Sequence, residues 1–331
     1  MKLRYVLIPV VLTLLLAEGL LRIFWPLYFP DNYRIYQYDP AAGYRLKSSL
    51  HSLRTTDYQE EILTNRSGSA NFQQDFSAYQ NKVFALGDSL TQGIGLPADA
   101  SYPFQLDLLL NVRDGRYFMD YGVVNLGVAG YGVKQAIVRL KEYAEKIGSP
   151  RYILFLGCDN DVGDDQAFLA GAIHKKLLAG NPRFSPYLVR SWLWLKFDTE
   201  IGKRLTFLHK IRRRQQIVAQ KATNPQNSAE MLAPAFRALM NLSRGMGATL
   251  ILSWMPVRLS TQMPPEYRWL QEFCRRQGLP FADWFPMARA IREQIPALPF
   301  ENNHSAGHYR TWVNSMVARG FAQQIRQHRV P

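Results

Sequence analysis

Four short stretches of this 331-residue chain carry groups suited to acyl transfer. Residues 87–93 read Gly-Asp-Ser-Leu-Thr-Gln-Gly; a glycine permits a tight turn, and a serine just beyond a strand can expose its hydroxyl at the rim of a sheet. Gly127, Gly130 and Gly132 mark places where a backbone N–H can approach a ligand closely. Residues 157–161, Gly-Cys-Asp-Asn-Asp, supply a side-chain amide, and residues 301–304, Glu-Asn-Asn-His, set a carboxylate three positions before a histidine. Together these offer a nucleophile, oxyanion donors, a base and a group to orient it.

Such groups act together only if the fold gathers them. Apolar strand-like runs at 83–86, 123–126, 152–156 and 249–253, with a weaker fifth at 280–284, alternate with helical periods, which predicts a parallel sheet covered on both faces. Val133, Ala136, Ile137, Leu140, Ala144 and Ile147 recur at three and four residues before Gly148, the pattern of an amphipathic crossover helix with a glycine stop. Residues 235–244, 265–277 and 307–326 supply further helices. In open sheets of this kind ligands bind beyond the carboxyl ends of the strands, which is where the first three stretches fall.

Three regions lie outside this rhythm. Lys2 and Arg4 precede a charge-free and mostly apolar run at 5–17, which reads as an export signal. Carried through Glu18 to Trp25, the run predicts a short membrane span that serves as an uncleaved anchor, though Ala17-Glu18-Gly19 also offers a weak cleavage site. The positive-inside rule then sends the chain beyond Trp25 outside. Residues 26–80 form a polar lead-in with one or two edge strands and a turn at 65–68. Residues 163–229 are too long for a crossover and predict a helical insertion in the domain of residues 81–331. Lys203, Arg204, Lys210, Arg212, Arg213, Arg214 and Lys221 give that insertion a basic face, either solvated or functional, and Trp192 and Trp194 read as its core.

Forty Lys and Arg against 26 Asp and Glu leave a net charge of +14, which favours an anionic partner. Residues 1–25 carry only +2 of it, so the excess belongs to the exported part. Export argues against nucleic acid and points instead to an anionic membrane surface or polysaccharide. Cys158 and Cys274 are too few for a disulfide scaffold. His304 and His308 stand four apart, a spacing that can bind zinc on a helix, but no further ligand pattern accompanies them, so no metal or cofactor is expected.

Gly87-Asp88-Ser89-Leu90, Gly130, Asn160-Asp161 and His304, in this order on these strands, resemble blocks I, II, III and V of the SGNH/GDSL hydrolases over roughly residues 80–320. The anchor and lead-in are also similar to those of exported, membrane-tethered bacterial members. The resemblance implies a flavodoxin-like three-layer α/β/α fold of about five strands. It also implies esterase, lipase or deacetylase activity without a metal, and a site in the periplasm or outside the cell. By the same resemblance, Ser89 is the nucleophile, His304 the general base and Glu301 its orienting acid. The oxyanion hole is formed by the N–H groups of Ser89 and Gly130 and the amide of Asn160. The chain departs from the family in having Glu301 where Asp is usual and Asp159 where an ungapped match wants Asn. It also has a short run from His304 to Gly307, which keeps His308 in reserve as the base.

Asp88 and Asp161 read as loop-fixing acceptors, Gly127 and Gly132 as turn residues, and Cys158 as a packed thiol. Asp283 could replace Glu301 but is read as structural. The expected function is hydrolysis of an O-acyl ester, with acetyl one candidate, on a carbohydrate or lipid through an acyl-enzyme. Two alternatives stand beside it: an O-acetyltransferase acting on an exopolysaccharide or cell-wall sugar, and a non-catalytic polysaccharide-binding or assembly protein.

Overall fold

The computed structural model describes residues 4–24, 35–54, 60–170, 228–256, 262–301 and 308–328. The basic face expected at 203–221, Trp192 and Trp194, and His304 lie outside these residues.

The apolar run at the start forms helix α1 (Arg4–Phe24), with Leu7, Ile8, Leu12, Leu15 and Leu16 exposed. Pro9 and Glu18 interrupt its apolar character. Among the described residues no helix is long and apolar enough to cross a membrane, which corrects the expectation of a spanning anchor.

The lead-in folds as two small antiparallel pairs, β1 (Tyr36–Asp39) with β2 (Gly43–Leu46) and β3 (His51–Arg54) with β4 (Glu60–Leu63). Neither joins the central sheet, so the expected edge strands are separate ribbons. Asp39 Oδ1 accepts from the N–H groups of Ala41 and Ala42 and sets the first hairpin turn. The turn at 65–68 forms in the same way, with Asn65 Oδ1 accepting from Ser67 N and Ser69 N. An apolar cluster of Ile35, Tyr36, Tyr44, Leu46, Val128 and Tyr131 then seats the first ribbon on the loop that follows the second central strand.

The central part runs β5 (Asn81–Gly87), α2 (Ser89–Gln92), α3 (Tyr102–Asn111), a small hairpin β6 (Val112–Arg113) and β7 (Arg116–Tyr117), β8 (Tyr121–Asn125), α4 (Val133–Ile147), β9 (Tyr152–Gly157) and α5 (Asp161–Leu169). It continues through α6 (Ser228–Met231), α7 (Ala233–Gly245), β10 (Thr249–Trp254), α8 (Pro265–Gln277), α9 (Phe285–Gln294) and α10 (Thr311–Gln327). The crossover helix α4 and helix α8 match the helices expected from periodicity. β5, β8, β9 and β10 form one parallel sheet in the order β10-β9-β5-β8.

Burial on both faces explains why these strands read as continuous apolar runs. Phe84 and Phe155 lie on one face, against Tyr143 of α4 and Phe236 of α7. On the other, Tyr102 of α3 stacks on Phe321 of α10 with ring centroids 5.4 Å apart. The layers are therefore helix, sheet, helix.

The expected fifth strand is reduced to a single parallel bridge between Leu252 and Phe281. Pro280 has no N–H to give, and pairing ends two residues later because the N–H groups of Trp284 and Phe285 donate to the Tyr267 hydroxyl instead. Numbered from β5, the order is second, first, third, fourth, that of a doubly wound sheet. Its connections reverse between β5 and β9, and the ligand crevice belongs at their carboxyl ends.

Arg139, 1% exposed, ties the lead-in to this body. Its guanidinium donates to Gly68 O at 2.7 Å and to Glu142 Oε2 at 3.2 Å, and lies 4.5 Å from the centroid of the Tyr143 ring. Arg139→Ala strands the Gly68 carbonyl and opens a void, and is expected to cost about 3 kcal/mol. In a protein of this size that is a fall of roughly 4 °C in Tm, read by thermal denaturation.

Candidate active site

Ser89 opens α2 directly after β5, where Gly87 turns with φ of +151°. A side chain on Gly87 would meet Thr91 Oγ1 at 2.3 Å, so the turn requires glycine. Asp88 caps the helix: its Oδ1 accepts from Leu90 N at 2.9 Å. Its other oxygen, Oδ2, gathers the surrounding groups, accepting from Ser89 Oγ at 3.3 Å, Asn160 Nδ2 at 3.2 Å and Cys158 Sγ at 3.3 Å. The serine hydroxyl thus rests on a buried carboxylate, and Asp88 fixes the loop as expected.

Gly130 lies in the loop after β8. Tyr131 N donates to Val128 O at 3.1 Å and Gly130 has φ of +79°, which together define a type II turn. Val128 N donates in turn to Gly87 O at 3.2 Å, pinning the turn beside the serine. Among the described residues neither the Ser89 N–H nor the Gly130 N–H donates to a protein group.

Asn160 follows β9 and precedes α5. Its amide donates to Asp88 Oδ2 and, at 2.7 Å, to Asp164 Oδ2, so both amide hydrogens are engaged. Asp159 turns away and accepts from the Trp254 indole N–H at 3.2 Å. The sheet thus brings three expected participants, Ser89, Gly130 and Asn160, to the carboxyl ends of β5, β8 and β9.

Asp88, Cys158 and Asp161 form a buried group whose oxygen and sulfur atoms lie within 4.8 Å of one another, the arrangement among the described residues best suited to a cation. Burial, reinforced by neighbouring carboxylates, pushes both the Cys158 thiol and the Asp161 carboxyl well up toward their protonated forms. A cation would have to displace those protons. Cys158 otherwise behaves as a packed thiol, its sulfur within hydrogen-bond reach of Asn160 Oδ1 and Asp88 Oδ2 as alternative acceptors.

Of the expected C-terminal pair, Glu301 is described and His304 is not. Glu301 bridges Tyr309 across the intervening segment, and Arg310 Nε donates to its carbonyl at 3.0 Å. His308 stands in the field of Asp88, whose negative charge opposes the downward effect of burial on its pKa. Burial prevails, and the ring is held below the usual histidine value, neutral at pH 7. Its Nδ1 is buried without a protein partner among the described residues. Asp283 accepts from Tyr267 Oη at 2.7 Å and from Gln271, the structural role expected of it.

The sequence gives no hint of what the lead-in contributes. Tyr44 Oη donates to Ala129 O at 2.5 Å, and Gln92 Oε1 accepts from Ala129 N at 2.8 Å and from Tyr36 Oη at 3.2 Å. Burial raises the Tyr44 phenol above its ordinary range, and Tyr36, Tyr131, Asp164 and Asp88 add to the shift.

No protein-family model and no curated protein matches the chain. Among solved structures it is similar to a member of the lipolytic protein G-D-S-L family from Veillonella parvula DSM 2008, at 11% identity and a TM-score of 0.43 over 75% of this chain and 99% of that one. A putative lipolytic protein of the G-D-S-L family from Desulfitobacterium hafniense DCB-2 aligns at 12% identity and 0.41, over 74% and 99%. Axe2, an acetylxylan esterase from Geobacillus stearothermophilus, aligns at 14% and 0.41, over 75% and 94%. With TM-scores below 0.5, these likenesses carry no weight in assigning activity.

The Asp161 proton has a measurable consequence. Its pKa lies well above 3.8 in the folded chain, so the folded form keeps a proton that the unfolded form releases. The stabilising contribution is complete below pH 3.8 and is lost as pH rises toward the folded value. Asp161→Asn removes this loss. The difference in Tm between variant and wild type should move in favour of the variant by a few degrees from pH 4 to pH 7, and movement the other way contradicts a protonated Asp161.

Proposed function

We propose that the chain is a serine ester hydrolase. One observation carries the reading: a serine, a backbone N–H with no acceptor among the described residues and a side-chain amide stand at the carboxyl ends of three adjacent parallel strands, with a neutral histidine in the field of the carboxylate on which the serine rests.

Ser89 Oγ leaves Asp88 and attacks the ester carbonyl while a histidine takes its proton. The negative oxygen of the tetrahedral intermediate is met by the N–H groups of Ser89 and Gly130, and by the Asn160 amide once it turns from Asp88. The histidine returns the proton to the leaving alcohol, and water attacking the acyl-enzyme releases the acid and restores the serine. Two histidines are candidates for the base. Motif order favours His304, with Glu301 to orient it; the field of Asp88 on its ring favours His308.

The substrate we propose is an O-acyl ester, acetyl among the candidates, on a carbohydrate or lipid. The net charge of +14 supports an anionic carrier, such as a polysaccharide or a membrane surface. The basic start and exposed apolar face of α1 support export. A fusion of residues 1–30 to a reporter active only outside the cytoplasm tests this, and a silent reporter refutes export.

Wild-type protein should take a fluorophosphonate label that Ser89→Ala lacks, and Ser89→Ala should lower p-nitrophenyl acetate turnover at least roughly a thousandfold. Folded wild type that takes no Ser89-dependent label would sink the hydrolase reading in favour of a binding role. Turnover that depends on an added sugar and yields acylated sugar would identify a transferase.

The base is assigned by His304→Gln and His308→Gln together with the pH profile. With His308 as base, kcat/KM rises with pH through a midpoint below 6.5 and then levels, because only the neutral ring accepts a proton. A rate lost in His304→Gln and kept in His308→Gln assigns the base to His304.

A further inference from the structure

We propose that Tyr44, from the lead-in hairpin, is a positioning residue that holds the Gly130 N–H toward the acyl oxygen by fixing the peptide between Ala129 and Gly130. The inference rests on the hydrolase reading for its catalytic meaning, but its structural content can be tested without it.

The carbonyl of Ala129 and the N–H of Gly130 belong to one peptide group. Because that group is planar and trans, the two point in opposite directions, and whatever holds the carbonyl aims the N–H. The Tyr44 hydroxyl donates to this carbonyl at 2.5 Å. The turn from Val128 to Tyr131 makes the contact decisive. Type I and type II turns share the same closing hydrogen bond and differ mainly by a half-turn of their central peptide, which here is the Ala129–Gly130 group. Gly130 with φ of +79° shows the type II orientation. A rotation to type I would swing the carbonyl off Tyr44 and turn the N–H away from the side it now faces.

The neighbouring groups are fixed by bonds other than that of the Tyr44 hydroxyl, so the central peptide is the piece left for that hydroxyl to set. The preceding peptide is held by Ala129 N donating to Gln92 Oε1 at 2.8 Å, and Gln92 is in turn held by Tyr36 Oη. The following residue is held by the Tyr131 hydroxyl, which donates to the Tyr44 carbonyl. The Tyr44 ring packs edge-on between Tyr36 and Tyr131, with centroids 5.3 and 5.2 Å away, so the phenol has little room to leave. Its oxygen would lie 2.7 Å from a Cβ built on Gly130, so the hydroxyl closes tightly over a residue that must be glycine.

The test is Tyr44→Phe, which removes the hydroxyl and keeps the ring. Its crystal structure, compared with that of the wild type, should show the Ala129–Gly130 peptide turned over or present in both orientations. kcat for p-nitrophenyl acetate should fall roughly tenfold or more with KM within about twofold, since a missing oxyanion donor weakens the transition state and not the bound ester. Tyr143→Phe is the control for a loosened lead-in, because the Tyr143 hydroxyl donates to Ser67 O in the lead-in, away from the turn; it should leave kcat within about twofold.

A peptide that keeps its type II orientation in Tyr44→Phe overturns the inference whatever the activity. Equal losses of kcat in Tyr44→Phe and Tyr143→Phe also overturn it. A turned peptide in a wild-type background that takes no label at Ser89 upholds the structural role of Tyr44 and refutes the hydrolase reading instead. Should Tyr44→Phe not fold, Gln92→Glu provides the second variant: it keeps an acceptor for Ala129 N and leaves Tyr44 in place, and the inference requires the type II peptide to persist in its crystal structure.

Discussion

Asp88 is a buried carboxylate with one oxygen given to the fold and the other to the site. Oδ1 caps the short helix that presents Ser89, and without that cap the first turn of α2 would lose its only side-chain acceptor. Oδ2 collects the serine hydroxyl, the Asn160 amide and the Cys158 thiol from two different strand ends. A buried carboxylate is tolerated only when its oxygens are met by donors, so the ends of β5 and β9 are drawn together around it. Burial, with the same negative charge second to it, pushes Cys158 and Asp161 toward their protonated forms. The charge also acts against burial on the ring of His308. The serine hydroxyl and the amide are thus both engaged by one carboxylate oxygen.

The parallel sheet and the places of Ser89, Gly130 and Asn160 were legible in the sequence because they depend on local pattern. Helix α4 shows its apolar stripe and its glycine stop within fifteen residues, and α8 starts on a proline pair and ends on Gly278. The fifth strand was misread for a physical reason that no local pattern contains: its later N–H groups are claimed by Tyr267, a residue of the preceding helix. Asp159, which stands where an ungapped match to the family wants Asn, has as its partner the indole of Trp254, which the pairing of β9 with β10 brings near.

The contribution of the lead-in was not legible. Tyr44 and Ala129 are 85 positions apart, and the bond between them depends on how a separate ribbon seats on the loop after β8. A tyrosine-rich polar segment reads as a connector. Its apolar ring faces and single hydroxyls instead let it bury surface and still satisfy the carbonyls of a turn. A region that reads as a polar lead-in therefore touches the loop that carries Gly130.

The way the lead-in begins has a geometric consequence of its own. Helix α1 ends at Phe24, and the next described residue, Ile35, is 1% exposed and accepts a hydrogen bond from Lys47 N. Eleven residue steps separate them, and a polypeptide of that length reaches at most about 40 Å when fully stretched. Because the ribbon that begins at Tyr36 is the one seated beside Gly130, the chain that comes from α1 enters the lead-in close to that loop. Any surface that captures α1 therefore confines the Ser89 and Gly130 loops to a zone no deeper than that reach plus the width of the domain.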